Sequence, residues 1–193
     1  MSTRLPAAER REQLLAVALA VFADKGFHGA SMNDVADAAG VTKPVLYQHF
    51  ESKRELYLAL IDEAGERLNQ LIVAAASNAS DPHEKVSRGV QAYFRWVAED
   101  RESFVLLFGD GGRRDEEFTE AVRLIEARIA TAIAPMIRAE IDAEHQTTLA
   151  HGIIGIAEST SRRLVQAGHS FDPDTVAHQV AEMLWGGLRA VHR

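Results

Sequence analysis

A chain of 193 residues, 47% hydrophobic and 25% charged, holds one large soluble domain or a small module joined to a larger one. The absence of cysteine excludes disulfides, thiol catalysis and thiolate metal sites. The net charge of −7 argues against a nucleic-acid partner only until its distribution is read: residues 1–55 carry seven basic and seven acidic side chains, whereas residues 56–193 carry fourteen and twenty-one. A neutral head on an acidic body binds DNA where its cations gather on one face.

The opening residues Met1-Ser2-Thr3-Arg4-Leu5-Pro6 lead into a charged amphipathic segment, which predicts no secretory leader, and the apolar stretches are broken well short of a membrane span. A cytoplasmic protein is expected. Helical periodicity dominates and no period-2 strand stands out, so the fold class is all-α. The first helix is predicted from about Pro6 to Lys25, with Leu14, Ala18, Val21 and Phe22 as its apolar stripe and Gly26 as a left-handed cap. Ser31-Met32-Asn33-Asp34 then opens a short helix with a capping box and turns Val35, Ala36 and Ala39 inward. A tight turn follows at Ala39-Gly40-Val41, and Thr42 caps a second short helix. Ser52-Lys53-Arg54-Glu55 starts a long one that runs to about Ala76. Two short helices joined by a glycine turn are the layout of a helix-turn-helix.

Longer helices fill the remainder. Asp81-Pro82 starts one that carries Val86, Val90, Tyr93 and Val97, and a short helix over Arg101–Phe108 stops at Gly109-Asp110-Gly111-Gly112. Further helices are expected over Asp115–Arg138, Asp142–Ala167 and Asp172–His192. The expected division is a helix-turn-helix domain over 1–55 and a bundle over 56–193.

Residues 10–60 resemble the DNA-binding domain of the TetR family. The resemblance is carried by Phe22, Gly26-Phe27, Ser31-Met32-Asn33-Asp34-Val35-Ala36, Ala39-Gly40-Val41-Thr42 and Val45-Leu46-Tyr47-Gln48-His49-Phe50, followed by Ser52-Lys53 and Leu56. It implies about nine helices, with residues beyond 60 matching only in helix number and length. Pro44 departs from the glycine or small residue of many members but is sterically acceptable early in a helix.

The second short helix of such a motif leads into the major groove. The candidate DNA-binding residues are therefore Ser31, Thr42, Lys43, Pro44, Val45, Tyr47, Gln48, His49 and Lys53, while Val41, Leu46 and Phe50 face inward. The resemblance places Lys43, Tyr47 and His49 near phosphates or base edges and Lys53 on the backbone. Gln48 suits adenine, and Val45 or Pro44 a thymine methyl. Ser31, Thr42 and Ser52 are expected to cap helices first, and Arg4, Arg10 and Arg11 are read equally as surface charge or as arms reaching the DNA.

The resemblance further implies a homodimer on a palindromic double-stranded operator, paired through the last two helices. Gly152, Gly155, Ser159, Val180, Leu184, Gly187, Leu188 and Val191 are the interface candidates. It also implies a small-molecule effector, hydrophobic or amphipathic, within the bundle. Tyr93, Phe94, Trp96, Phe104, Phe108 and Phe118 are candidates for its lining, with Arg123, Arg95 and His151 as polar handles. A ligand-responsive regulator, a repressor before an activator, is the function expected. The alternatives are a helical binding protein that has lost DNA affinity and an enzyme on the same scaffold. No zincin, phosphate-loop, nucleophile-elbow or dinucleotide motif is present. His145 and His151 have the wrong spacing for one helical face, and Asp115-Glu116-Glu117-Glu120 reads as a charged helix start, so no metal, cofactor or catalytic residue is expected.

Overall fold

The computed structural model describes residues 6–109, 115–137, 141–168 and 170–191. Among these, nine α-helices and one 3-10 turn account for the ordered backbone, with no strand. They are α1 (Ala7–Gly29), α2 (Met32–Ala38), α3 (Lys43–Tyr47), α4 (Lys53–Ser77) and α5 (Pro82–Glu99). Then come α6 (Arg101–Phe108), α7 (Glu116–Ile133), the 3-10 turn Ala134–Met136, α8 (Ala143–Gln166) and α9 (Pro173–Leu188).

Local chemistry sets most of the starts. Ser31 and Asp34 form the reciprocal box at α2: the Asp34 N–H donates to Ser31 Oγ at 3.2 Å and the Ser31 N–H to Asp34 Oδ2 at 2.8 Å. Ser52 Oγ accepts from the Glu55 N–H at 3.1 Å, and Glu55 reaches back to the Glu51 N–H instead of to Ser52. Asp81, Asp142 and Asp172 cap α5, α8 and α9 through the N–H groups of Glu84, His145 and Thr175.

Two departures from the expected boundaries have physical causes. α1 carries a kink at Gly26, whose φ of 67° and ψ of 167° lie in an extended region open almost only to glycine, not in the left-handed helical cap expected there. The α7 helix stops at Ile133 because Pro135 has no N–H for an i→i−4 bond, and the chain tightens into a 3-10 turn. Arg138, the expected end of that helix, lies outside the described residues, as do Asp110, Gly111, Gly112 and His192. α9 ends at Leu188, short of its expected limit.

The chain forms two compact units, and the division falls inside α4 and inside α7. The first unit comprises residues up to Ala64 together with Glu102–Ala121. Leu14, Ala18, Phe22, Val35, Leu46, Phe50 and Leu56 form its interior, each no more than 3% exposed, while Val21 and Val41 are only half-buried. An aromatic cluster closes it. Phe27 meets Tyr57 and Phe118 at centroid distances of 5.0 and 4.7 Å, and Phe22 meets Tyr57 edge-on at 5.1 Å.

The second unit comprises Gly65–Arg101 and the chain from Val122 onward. Here α5 and α9 pack lengthwise, burying Val90, Phe94 and Val97 on one side and Ala177, Val180, Ala181 and Leu184 on the other. Polar groups border this seam. Asp174 accepts from Arg95 at 2.8 and 3.0 Å and from Gln91 at 3.0 Å, and His83 pairs with Glu182 at 2.9 Å. A further apolar cluster joins Ala130, Ala134 and Ile137 to Ala150 of α8 and Leu188 of α9.

Candidate nucleic-acid interface

The α2–turn–α3 segment builds a surface from one buried side and one open side. The turn rests on Gly40, whose φ of 63° favours glycine, and the Val41 N–H closes onto the Ala36 carbonyl at 3.0 Å. Leu46, with no exposed surface, fixes α3 from beneath. Thr42, Lys43, Pro44, Tyr47 and Gln48 are exposed on its outer side, while Val45 and His49 are half-exposed. Tyr47 is a large aromatic ring left 41% exposed, and Lys43, one turn earlier, holds its ammonium 5.9 Å from that ring's centre. A phenol and an ammonium side by side on an exposed helix are groups of the kind that contact phosphates and base edges.

The cations of this unit divide into two groups. Lys25 is neutralised by Asp34 at 2.5 Å, and the Arg54 guanidinium is engaged by Asp115 at 2.8 and 3.0 Å and by Glu117 at 2.8 Å. Arg54 also lies 4.9 Å over the Phe118 ring, and Arg54 holds the Asp115 carboxyl below the usual carboxylate range. By contrast, no carboxylate pairs with Lys43 or Arg11 among the described residues, and Arg11 lies 5.1 Å over the Phe50 ring, just past the end of α3. Arg10 donates to Gln13 at 2.7 Å. The formal neutrality of residues 1–55 thus conceals free cations beside α3 and spent ones elsewhere. Arg4 lies outside the described residues.

Three of the expected DNA contacts change character. Lys53 is partly buried, and its ammonium donates to the Phe27 and Ala30 carbonyls at 2.7 and 2.9 Å while lying 4.4 Å over the Phe27 ring. Its ammonium thereby ties down the α1–α2 connection. Ser31 spends its hydroxyl on the cap, donating to and accepting from Asp34. Thr42 does the reverse of what is expected: its hydroxyl makes no cap bond and stays exposed.

The bundle residues also sort differently from their expected grouping. Tyr93, Phe94 and Trp96 come together inside the second unit, with ring centroids 5.3 and 6.1 Å from Tyr93. Phe104 and Phe108 pack on each other within the first unit at 5.4 Å. Phe118 packs in the aromatic cluster of the first unit, against Phe27 and Tyr57. Arg123 and His151 are exposed, and Arg95 pairs with Asp174.

Of the interface candidates, Val180, Leu184 and Leu188 are each only 7% exposed, turned into the chain's own core. Val191 is half-buried, whereas Gly152, Gly155, Ser159 and Gly187 are exposed. A Cβ added at Gly152, Gly155, Gly186 or Gly187 would meet nothing within 4 Å, so packing inside the chain does not explain these glycines. Met183, which sequence reasoning missed, is 55% exposed on the same side of α9 as Gly186 and Gly187. Its spacing of three and four residues from those glycines was the available signal.

A helix-turn-helix with an exposed aromatic-cationic second helix, joined to a separate helical bundle, defines a DNA-binding regulator. Comparison with known proteins agrees. Residues 14–60 match the model of bacterial regulatory proteins of the tetR family, and residues 82–187 match that of the tetracyclin repressor-like C-terminal domain. The chain is 32% identical over 190 residues to the HTH-type transcriptional activator FasR of Mycolicibacterium smegmatis, covering 97% of this chain and 87% of that protein. It is also similar to a TetR-like regulator from Rhodococcus sp. RHA1, with a TM-score of 0.79 at 28% identity over 96% and 99% of the two chains. The transcriptional regulator FadR of Bacillus subtilis, solved in complex with stearoyl-CoA, shares the fold with a TM-score of 0.79 at 17% identity over 90% and 96%. The chain belongs to the TetR family of transcriptional regulators.

Proposed function

We propose that the chain works as a homodimer that sets two copies of α3 on a palindromic operator and is controlled by a hydrophobic or amphipathic small molecule held in its second unit. The observation that carries this reading is the exposed pair Lys43 and Tyr47 on a helix whose other side is sealed by Leu46. Thr42, Gln48 and Arg11 extend the contact, and Val45 and Pro44 supply apolar surface for base edges. The open glycine stripes of α8 and α9 give a partner room for close backbone approach. Two-fold pairing spaces the reading helices by one helical turn of DNA, about 34–36 Å. The aromatic interior around Tyr93, Phe94 and Trp96 supports an apolar effector, and the acyl thioester seen in FadR supports a long-chain one. The effector acts by differential affinity: it stabilises the arrangement of the dimer in which the α3 spacing no longer matches the groove repeat.

The test is a titration of purified protein onto a fluorescent duplex from its own upstream region, followed by stearoyl-CoA. Release of the duplex at rising thioester concentration supports the repressor form, whereas binding that stays constant contradicts effector control by this class of molecule. A second reading reverses the sign, and the 32% identity to an activator favours it. In-vitro transcription from the bound promoter separates the two, rising with added protein for an activator and falling for a repressor.

A further inference from the structure

Arg54 stands in the first turn of α4 and meets the start of α7. Both of its terminal nitrogens are engaged: Nη1 donates to Asp115 Oδ1 at 3.0 Å and to Glu117 Oε2 at 2.8 Å, and Nη2 donates to Asp115 Oδ2 at 2.8 Å. The guanidinium carbon also lies 4.9 Å from the centre of the Phe118 ring and 5.8 Å from that of Phe27. Asp115 has a second duty. Its Oδ1 accepts from the Glu117 and Phe118 N–H groups at 3.1 and 3.3 Å, which caps α7. Phe118 is buried against Phe27 and Tyr57 and holds that first turn in place. All of these residues belong to the first unit.

The start of α4 is also where the chain leaving α3 is held. The His49 and Phe50 N–H groups close onto the Leu46 carbonyl of α3. On the other side, the Glu51 N–H donates to the Glu55 carboxylate and the Glu55 N–H donates to Ser52 Oγ, both in the first turn of α4. The short connection between the two helices is thus bonded at both ends, and a tilt of the first turn of α4 carries α3 with it. A bidentate guanidinium–carboxylate pair fixes direction as well as distance, so the pairing with Asp115 sets that tilt against α7. An exposed ion pair adds little to stability, which leaves geometry as its main contribution. A basic residue beside a helix-turn-helix is ordinarily read as a phosphate contact. Here a phosphate would first have to displace two carboxylates from the same guanidinium.

We infer that Arg54 is a positioning residue for DNA reading: held by Asp115 and Glu117, it sets the direction of the first turn of α4 and thereby of α3, without touching DNA itself. This rests on α3 being the reading helix, as proposed above, and adds to it a determinant that lies outside that helix.

The experiment measures binding of the full chain to a duplex from its own upstream region and to a scrambled duplex of equal length, across a series of salt concentrations. Wild type is compared with Arg54→Gln, with the neutralised pair Asp115→Asn and Glu117→Gln, and with all three substitutions together, alongside the melting temperature of each. Asparagine keeps the cap of α7, so the neutralised pair is expected to fold as wild type does. In Arg54→Gln and in the neutralised pair, the preference for the upstream duplex falls by about fivefold or more, and the triple variant loses no more than either, because all remove one interaction. The salt slope of Arg54→Gln stays that of wild type. A slope that falls by about one would show a phosphate contact and overturn the inference. An unchanged preference in the folded variants, or losses that add in the triple variant, also overturns it, and α3 remains the reading helix. A wild type with no preference for the upstream duplex overturns that reading and the inference together.

Discussion

Asp34 shows how much of the reading head depends on single polar residues. It accepts from the Lys25 ammonium, the Ser31 hydroxyl and the Ser31 N–H, in that order of influence, and its carboxyl is driven far below the ordinary value of 3.8. A depressed folded-state pKa gives stability that is complete above the unfolded value and lost as pH falls through the folded one. Asp34→Asn is expected to melt below wild type at pH 7, and the gap is expected to close as pH drops below about 4. A gap that is constant between pH 7 and 2 would show that the carboxylate charge plays no part. Gly26 carries a different load. A side chain would find space there, but the φ of 67° with extended ψ strains any L-residue, so Gly26→Ala is expected to cost about 1–3 kcal/mol by urea unfolding. The capping residues were legible in the sequence because their partners lie within four positions. The roles of adjacent Lys53 and Arg54 were not, since the first is set by carbonyls at residues 27 and 30 and the second by acids at 115 and 117.

At the scale of elements, α4 and α7 matter most because each begins in the first unit and continues into the second. Within the second unit they pass so closely that a Cβ on Gly65 would lie 2.4 Å from Cδ1 of Ile125 and within 2.7 Å of two more of its atoms. Ile125 is branched and only 2% exposed, so it has little freedom to yield. Gly65→Ala is expected to destabilise the chain by about 1–3 kcal/mol, measured by urea unfolding. Unchanged stability would mean that the two helices separate without cost. Nothing in the sequence marked Gly65, since a glycine inside a long helix acquires meaning only from the helix that crosses it. The inward turn of one face of α9 was hidden for a similar reason. Its apolar residues Val180, Leu184 and Leu188 follow helical spacing, but spacing cannot say whether α5 or a partner covers them. Pro135, by contrast, is a local stop and was readable in principle.

For the whole molecule, the claim with the largest structural consequence is pairing through α8 and α9. A Cβ added at Gly155 meets nothing within 4 Å in the single chain and the position is exposed, so Gly155→Leu is expected to fold with unchanged helical circular dichroism. The same side chain obstructs a partner's approach, and sedimentation is expected to shift from dimer to monomer with loss of operator binding. A variant that sediments as a dimer would place the interface elsewhere. The all-helical class, the order of helices and the helix-turn-helix were legible because periodicity and caps are local. The site's electrostatics were not. A neutral count over residues 1–55 hid the fact that Asp34, Asp115 and Glu117 remove Lys25 and Arg54 from play while Lys43 and Arg11 stay open.

The reading head itself is tested most directly by gel shift on a duplex from the protein's own upstream region, against scrambled competitor, with wild type beside Tyr47→Ala and Lys43→Ala. The account predicts a specific complex that Tyr47→Ala weakens by about tenfold or more, and a salt dependence whose slope falls by about one on Lys43→Ala. No complex at low salt with folded wild-type dimer, or equal affinity across all three proteins, would contradict the assignment of α3 as the DNA-reading element.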